Sequence, residues 1–243
     1  MKVSLNVNTA CNYNCWYCFS HSKTNTELDK NYIIQFLNNL PKNAEIQVLG
    51  GEPTLYSHFE YLIKCLENSG LSYYIQTNLS DEAFEVIKRY DFGVCASLHP
   101  GVNFANFAAK CLQIKDRIKS IDVMFYNEKA FESAKKLKAL LKNTEIKLRI
   151  LTALGCEDSA ILRKKFLILI YYYINLKIKF YDSHSDLFEG DDYIARKLQQ
   201  FKPDYYPKEC PMPFINLSAG GEESNCPYGA SHNGTLCKFC PLY

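Results

Sequence analysis

The chain has 243 residues, with 28 Lys and Arg against 26 Asp and Glu for a formal net charge of +2, and a mean hydropathy of −0.22. A near-neutral chain of that length, 47 % hydrophobic, can bury a sizeable core as one large domain or a domain with an appendage. It carries no charge excess that would mark a nucleic-acid or membrane-surface partner. Met1 to Val7 lead straight into a strand pattern with no room for a signal peptide, and the densest apolar run, Phe166 to Ile174, is too short to span a bilayer, so a soluble cytoplasmic protein is expected.

Six short apolar runs read as strands: Val3–Val7, Glu45–Leu49, Ser72–Thr77, Gly93–Leu98, Ser120–Tyr126 and Glu145–Leu151. Between them Leu28–Leu40, Tyr56–Asn68, Asp81–Tyr90, Phe104–Lys115 and Glu128–Leu141 carry apolar residues at helical spacing, with charges on the opposite face. Such alternation predicts an α/β fold of parallel strands joined by right-handed crossovers, either an open sheet or a barrel. A further helix-like stretch covers Ser159–Ile174, and Leu176–Tyr181 reads as another strand. Asp182–Tyr193 is an acidic loop, carrying Asp182, His184, Asp186, Glu189, Asp191 and Asp192, that is either solvated or closes over the strand ends. From Lys202 the chain is rich in Pro, Gly and Cys and has little periodicity, so it needs an internal staple to be ordered.

The 11 cysteines supply that staple and more. In a reducing compartment, dense cysteine points to metal or catalysis rather than to disulfides. Cys11, Cys15 and Cys18 cluster directly after the first strand. Cys210, Cys226, Cys237 and Cys240 gather in the tail. Cys65, Cys95, Cys111 and Cys156 are scattered within apolar segments and read as packing residues, although Cys95 shares strand parity with Ser97. Three thiolates on one loop can hold three irons of a cubane [4Fe–4S] cluster and leave the fourth open for chemistry. A structural zinc site would need a fourth ligand, for which His21 is the nearest candidate. The spacing also departs from the ferredoxin Cys-x2-Cys-x2-Cys run of a plain electron carrier.

In parallel α/β folds reactive groups sit at the carboxyl ends of the strands. The first strand leads into Cys11, and the second into Gly50-Gly51-Glu52-Pro53. The third, fourth and sixth end near Thr77–Asn78, Ser97–His99 and Arg149–Thr152, so all of these fall on one rim. Cys11-x3-Cys15-x2-Cys18, with Tyr17 before the third cysteine, resembles the cluster loop of the radical S-adenosylmethionine (SAM) superfamily. Gly50-Gly51-Glu52 resembles that superfamily's GGE motif at the expected place. The resemblance covers about residues 1–155 and implies a partial (β/α)6 TIM-like barrel. It implies a [4Fe–4S] cluster on Cys11, Cys15 and Cys18, with SAM chelating the open iron. An electron from that cluster would split the sulfonium to a 5′-deoxyadenosyl radical, which abstracts a hydrogen atom from the substrate. The Gly50-Gly51-Glu52 backbone and carboxylate would accept the ammonium of SAM, and Tyr17, Asn78, Ser97 and Arg149 are the further cofactor-binding candidates. Thr77-Asn78 matches part of a Thr-Asn-Gly motif, with Leu79 in place of the glycine, so that turn is expected to differ.

Polar residues that interrupt the apolar strands are expected to face the lumen: Asn6, Asn8, Gln76, Asn78, Ser97, His99, Asp122 and Arg149. Each has an ordinary alternative, a structural hydrogen bond or strand-end solvation. Arg149 lies between Leu148 and Ile150, and a buried guanidinium must be paired; a ligand carboxylate is one candidate.

The tail, Cys210-x15-Cys226-x10-Cys237-x2-Cys240, can saturate a second [4Fe–4S] cluster or a zinc ion. It resembles the twitch region, a shortened SPASM extension of radical SAM enzymes, with a β-hairpin expected at Phe214–Asn225 around Gly220-Gly221; its interval from Cys226 to Cys237 is short for that pattern. The expected organisation is a barrel core at 1–155, a connecting helix and strand at 156–200, and an auxiliary-cluster tail at 201–243. The resemblance then implies an enzyme that oxidises or cross-links a small molecule or peptide, with a flavodoxin- or ferredoxin-type electron donor. That no leader-binding module precedes residue 1 tilts the expectation toward a small molecule or a peptide recognised elsewhere. The alternatives are an activase for a glycyl-radical partner, which would make a four-cysteine tail unusual, and a non-catalytic zinc or iron–sulfur binding module.

Overall fold

A computed structural model of the protein describes residues 1–16, 18, 25–125, 128–142, 144–152 and 214–224. Five strand–helix units follow one another: β1 (Lys2–Asn6), α1 (Lys30–Asn39), β2 (Glu45–Leu49), α2 (Phe59–Ser69), β3 (Ser72–Thr77), α3 (Asp81–Ile87), β4 (Gly93–Leu98), α4 (Phe104–Gln113), β5 (Ile118–Phe125) and α5 (Glu128–Leu140). They end in β6 (Lys147–Thr152), and the tail contributes β7 (Phe214–Leu217) and β8 (Glu223–Ser224). The sheet order is β6-β5-β4-β3-β2-β1-β7-β8. Every pair is parallel except the β7–β8 hairpin. Six consecutive parallel strands in chain order are what a partial barrel requires.

The strands alternate cleanly. Val3, Leu5, Ile46, Val48, Ile75, Val94, Ala96, Ile121 and Val123 are buried in a core that takes Ile33, Phe36, Leu62, Leu66, Ile87, Phe107 and Leu137 from the helices. The other parity is polar, and the register lines it up: Ser4 pairs with Gln47 and with Asn216, and Ser97 with Asp122, which pairs with Arg149. The helix-packed face thus supplies the core, and the opposite face carries the hydrogen-bonding groups. A bulge adds one residue to β5 between the partners of Val94 and Cys95. The added Lys119 crosses the polar face to stand 3.4 Å from Glu45 Oε1 and 5.0 Å from the centre of the Tyr74 ring. A Cβ on Gly93 would lie 2.8 Å from its Cε, so the glycine opens the path.

The predicted elements agree with the structure to within a few residues, and the deviations have local causes. Asp29 accepts a hydrogen bond from Asn31 N, capping α1 two residues later than the apolar pattern begins. Pro53–Leu55 forms a 3-10 turn, so α2 starts at Phe59 rather than Tyr56, and the buried Tyr56 donates its hydroxyl to Leu28 O at 2.6 Å instead. The expected hairpin forms around Gly220-Gly221 and extends the sheet on the free side of β1. Ser159–Ile174, Leu176–Tyr181, the acidic loop and Cys156 lie outside the described residues.

Leu79, which stands where the Thr-Asn-Gly motif has glycine, adopts a φ of 53°, the left-handed conformation that glycine favours. Its side chain is 1 % exposed, its N–H donates to Thr77 Oγ1 at 3.1 Å, and its carbonyl accepts from Lys110 Nζ at 2.9 Å. Burial and these bonds hold a leucine where it costs about 1–2 kcal/mol. Leu79→Ala removes the buried side chain and keeps the strain, whereas Leu79→Gly removes both. In urea unfolding we expect Leu79→Ala to lose about 2–4 kcal/mol and Leu79→Gly no more than that. At an unstrained buried position the glycine variant would be worse by about 0.5–1 kcal/mol.

Candidate functional site

Three loops meet at the carboxyl ends of β1, β2 and β3, and backbone hydrogen bonds interlock the first two. Gly51 N donates to Asn8 O at 2.9 Å and Glu52 N to Ala10 O at 2.7 Å, while Asn8 Nδ2 donates to Glu52 O at 3.0 Å. The glycines serve this approach. A Cβ on Gly51 would stand 2.2 Å from Ala10 O, and one on Gly50 would stand 2.1 Å from Asn8 Oδ1. Asn8 Oδ1, facing Gly50, is the buried side-chain acceptor without a hydrogen-bond partner among the described residues.

Glu52 joins the third loop. The residue is 0 % exposed, and its carboxylate accepts from Thr54 N and Oγ1 at 3.3 and 2.9 Å. It also accepts from Thr77 Oγ1 at 3.0 and 3.1 Å and from Asn78 N at 2.8 Å. Burial pushes its pKa above the usual carboxylate range, and the donated hydrogen bonds pull it back. The carboxylate is thus a hub between the β2 and β3 loops.

The cysteine loop lies over this hub. Cys11, Cys15 and Cys18 are unpaired by disulfides and half-exposed, and Cys18 N donates to Cys15 O at 3.1 Å. Tyr13 N points to Cys11 Sγ at 3.4 Å, and Asn78 Nδ2 lies 3.9 Å from the same sulfur. Asn78 Nδ2 also donates to Asn12 Oδ1 at 2.8 Å, and Asn12 Nδ2 reaches Ser80 Oγ and Glu82 Oε2, each at 2.8 Å. Asn12 is a residue that motif reading passes over; its place between two cysteines was the available signal.

These residues fit an iron–sulfur cluster. N–H groups aimed at a sulfur favour its thiolate form, and the cysteines remain partly exposed. Among the described residues, no three His, Cys, Asp or Glu side chains converge on a point that one metal ion could occupy. A cubane asks for something different, one thiolate at each of three iron corners, which stand further apart than the ligands of a single ion.

Beyond the loops, the polar face forms a ladder across five strands. Gln47 Nε2 donates to Gln76 Oε1 at 3.0 Å, and Gln76 Nε2 donates to Ser97 Oγ at 2.6 Å and Asp122 Oδ2 at 3.1 Å. Asp122, 1 % exposed, receives Arg149 Nε at 2.5 Å and Nη2 at 2.8 Å. Arg149 therefore has a protein carboxylate as its partner, so a ligand carboxylate would have to share it. On the other flank Asn6 Nδ2 donates to Asn216 Oδ1 at 2.7 Å. A cavity of about 720 Å³ lies along this face toward the amino ends of the strands, with Lys2, Glu45, Tyr74, Cys95, Lys119 and Arg149 among its lining. Cys95 is buried and receives Ser120 Oγ at 3.1 Å; burial pushes its thiol up to about 11, away from the thiolate form that acts as a nucleophile. Burial likewise lowers His99 to about 4 against the opposing charge of Asp122.

Asn78 and Glu52 thus stand at the cysteine loop, and Ser97 and Arg149 in the ladder. Tyr17, Cys210, Cys226, Cys237 and Cys240 lie outside the described residues. Among the described residues no helix is long and apolar enough to cross a membrane.

A family model described as the Radical SAM superfamily matches residues 5–161. Among curated relatives, the uncharacterized protein MJ0907 of Methanocaldococcus jannaschii is 35 % identical over 108 residues, 39 % of this chain and 37 % of that protein. An S-adenosylmethionine-dependent nucleotide dehydratase of Selenomonas ruminantium is 30 % identical over 80 residues, 32 % of this chain and 29 % of that protein. The chain therefore matches about a third of the length of these relatives. Among solved structures, Streptococcus suis SuiB bound to precursor peptide SuiA superposes with a TM-score of 0.67 at 15 % identity, covering 96 % of this chain and 61 % of SuiB. Native anSMEcpe with bound AdoMet and the Cp18Cys peptide gives 0.55 at 17 % identity, covering 94 % and 74 %.

The interlock ranks two substitutions. In Gly51→Ala the new Cβ meets backbone of the cysteine loop, whereas in Gly50→Ala it first meets the movable Asn8 side chain. Gly51→Ala should lose iron on anaerobic reconstitution and about 3 kcal/mol of stability or more. Gly50→Ala should keep most of its iron. Iron assay and urea midpoints check the order, and equal losses would contradict it.

Proposed function

The chain belongs to the radical SAM superfamily, and from that membership we propose that it uses SAM to oxidise or cross-link a peptide or small molecule with help from an auxiliary [4Fe–4S] cluster. The observation that carries this reading is the interlock of Asn8 and Ala10, which lead directly into Cys11, with Gly51 and Glu52 at one end of the sheet. Cys11, Cys15 and Cys18 would hold the cluster, which with SAM supplies an electron and a 5′-deoxyadenosyl radical for hydrogen-atom abstraction.

The protein's own share is positioning. Gly50, Gly51 and Glu52 would present backbone to the ammonium of SAM while the Glu52 carboxylate keeps the loops in register. Tyr17, Asn78, Ser97 and Arg149 complete the proposed cofactor set; the last two would act through a ladder already tied to Gln76 and Asp122. A prearranged network of this kind needs little reorganisation when a polar ligand enters. The substrate would lie along the polar face.

Two further observations support the finer parts. SuiB and anSMEcpe, whose folds this chain shares, are peptide-bound in their structures, which favours a peptide. The β7–β8 hairpin lies in sequence between Cys210 and Cys226 and pairs with β1, the strand that leads into the cysteine loop. A second cluster on Cys210, Cys226, Cys237 and Cys240 could then take the electron left on the substrate. The dehydratase relative supports a second reading, loss of water from a nucleotide rather than net oxidation. A flavodoxin- or ferredoxin-type protein would deliver the electron, in the cytoplasm.

Anaerobic reconstitution with iron and sulfide tests the reading. About eight irons per chain should fall to about four in the Cys11/Cys15/Cys18→Ala variant, and reduction with SAM present should release 5′-deoxyadenosine. Four irons with one zinc would remove the auxiliary redox role, and the absence of deoxyadenosine under every reducing condition would leave only a binding module. Product mass then separates loss of a hydrogen pair from loss of water.

A further inference from the structure

His99 is the polar rim residue that this reading gives no task. It directly follows β4, whose last residue is Leu98, and its Nδ1 stands 3.6 Å from Cys15 Sγ. Its ring meets Tyr13 edge-on with centroids 5.7 Å apart. The histidine thus bridges the β4 end and the cysteine loop.

A thiolate bound to iron carries no proton, so a short contact between it and an imidazole nitrogen requires the nitrogen to donate. Cys11 is approached by Tyr13 N and Asn78 Nδ2, whereas the donor to Cys15 comes from a strand end on the far side of β3. Reducing a cluster adds negative charge that spreads onto its sulfurs, so each N–H aimed at a ligand sulfur stabilises the reduced state more than the oxidised one. We propose that His99 is a positioning residue that donates its Nδ1–H to the Cys15 thiolate and thereby raises the reduction potential of the three-cysteine cluster. This rests on the cluster reading above and extends it to a residue outside the cysteine and glycine motifs. Tyr13, packed on the ring edge, fixes the imidazole plane for that bond.

The test uses the full, anaerobically reconstituted chain and an EPR-monitored redox titration. The signal of the three-cysteine cluster is identified by its loss in the Cys11/Cys15/Cys18→Ala variant. His99→Phe keeps an aromatic ring against Tyr13 and removes the donor; His99→Gln keeps an N–H of similar reach. His99→Phe should shift the reduction equilibrium about tenfold toward the oxidised form, a 59 mV fall for a one-electron couple, and His99→Gln should recover most of it. An unchanged midpoint in His99→Phe, or equal shifts in both variants, would overturn the proposal. Should His99→Phe load no iron, the wild-type chain labelled with 15N-histidine decides. Hyperfine coupling of the reduced cluster to a histidine nitrogen, lost in His99→Gln, supports the bond, and its absence from wild type overturns it. Failure of the underlying cluster reading looks different, because wild type would then give no reduced-cluster signal that the Cys11/Cys15/Cys18→Ala variant loses.

Discussion

The arrangement depends on a single buried carboxylate. Glu52 is sealed from solvent and satisfies two backbone N–H groups and two hydroxyls drawn from its own turn and the end of β3. Burying a charge without such donors would be prohibitive, and removing the carboxylate would strand the donors instead. Its backbone meanwhile holds Ala10 and Asn8 of the cysteine loop. The residue that a motif reading assigns to a ligand is therefore also the keystone between three loops. That explains why a glutamate, rather than a neutral side chain, suits a position whose hydrogen-bond donors carry no charge: it offers two oxygens to four converging donors.

The same economy runs along the polar face. Gln76 touches both Ser97 and Asp122, and Asp122 neutralises Arg149 in a two-point bond. A buried pair of this kind contributes little net stability but is costly to break by one partner. Its effect here is geometric, since a guanidinium and a carboxylate locked together fix the positions of the neighbouring Gln76 and Ser97 side chains. Lys119, by contrast, is well exposed at its bond to Glu45, and that contact adds little.

Much of this was legible in the sequence for a physical reason. Parallel strands covered by helices on one face alternate apolar and polar residues, so Gln76, Ser97, Asp122 and Arg149 stand out as interruptions. Cys11, Cys15, Cys18 and the two glycines are legible because few other residue types can do what they do. What sequence could not settle was who pairs with whom. Arg149 asked for a carboxylate, and only the register of β5 and β6 shows that Asp122 supplies one. Leu79 broke a glycine pattern, yet burial and two hydrogen bonds impose the glycine conformation on it. Tertiary packing outweighed local preference there. The glycines also admit the close approach of Asn8, Thr9 and Ala10, a packing role that no motif displays.

If Glu52 is the keystone, its loss must be felt in three places at once. Native-state hydrogen exchange on the metal-free chain, comparing wild type with Glu52→Ala, measures this directly. The account predicts that Gly51, Glu52 and Asn78 amides lose protection together with Thr9, whose N–H bonds Thr26 O within the cysteine-loop entry, while β4 and α4 amides exchange as in wild type. Loss confined to Asn78 and Thr54, with Gly51 and Thr9 still protected, would show three independent loops and contradict it.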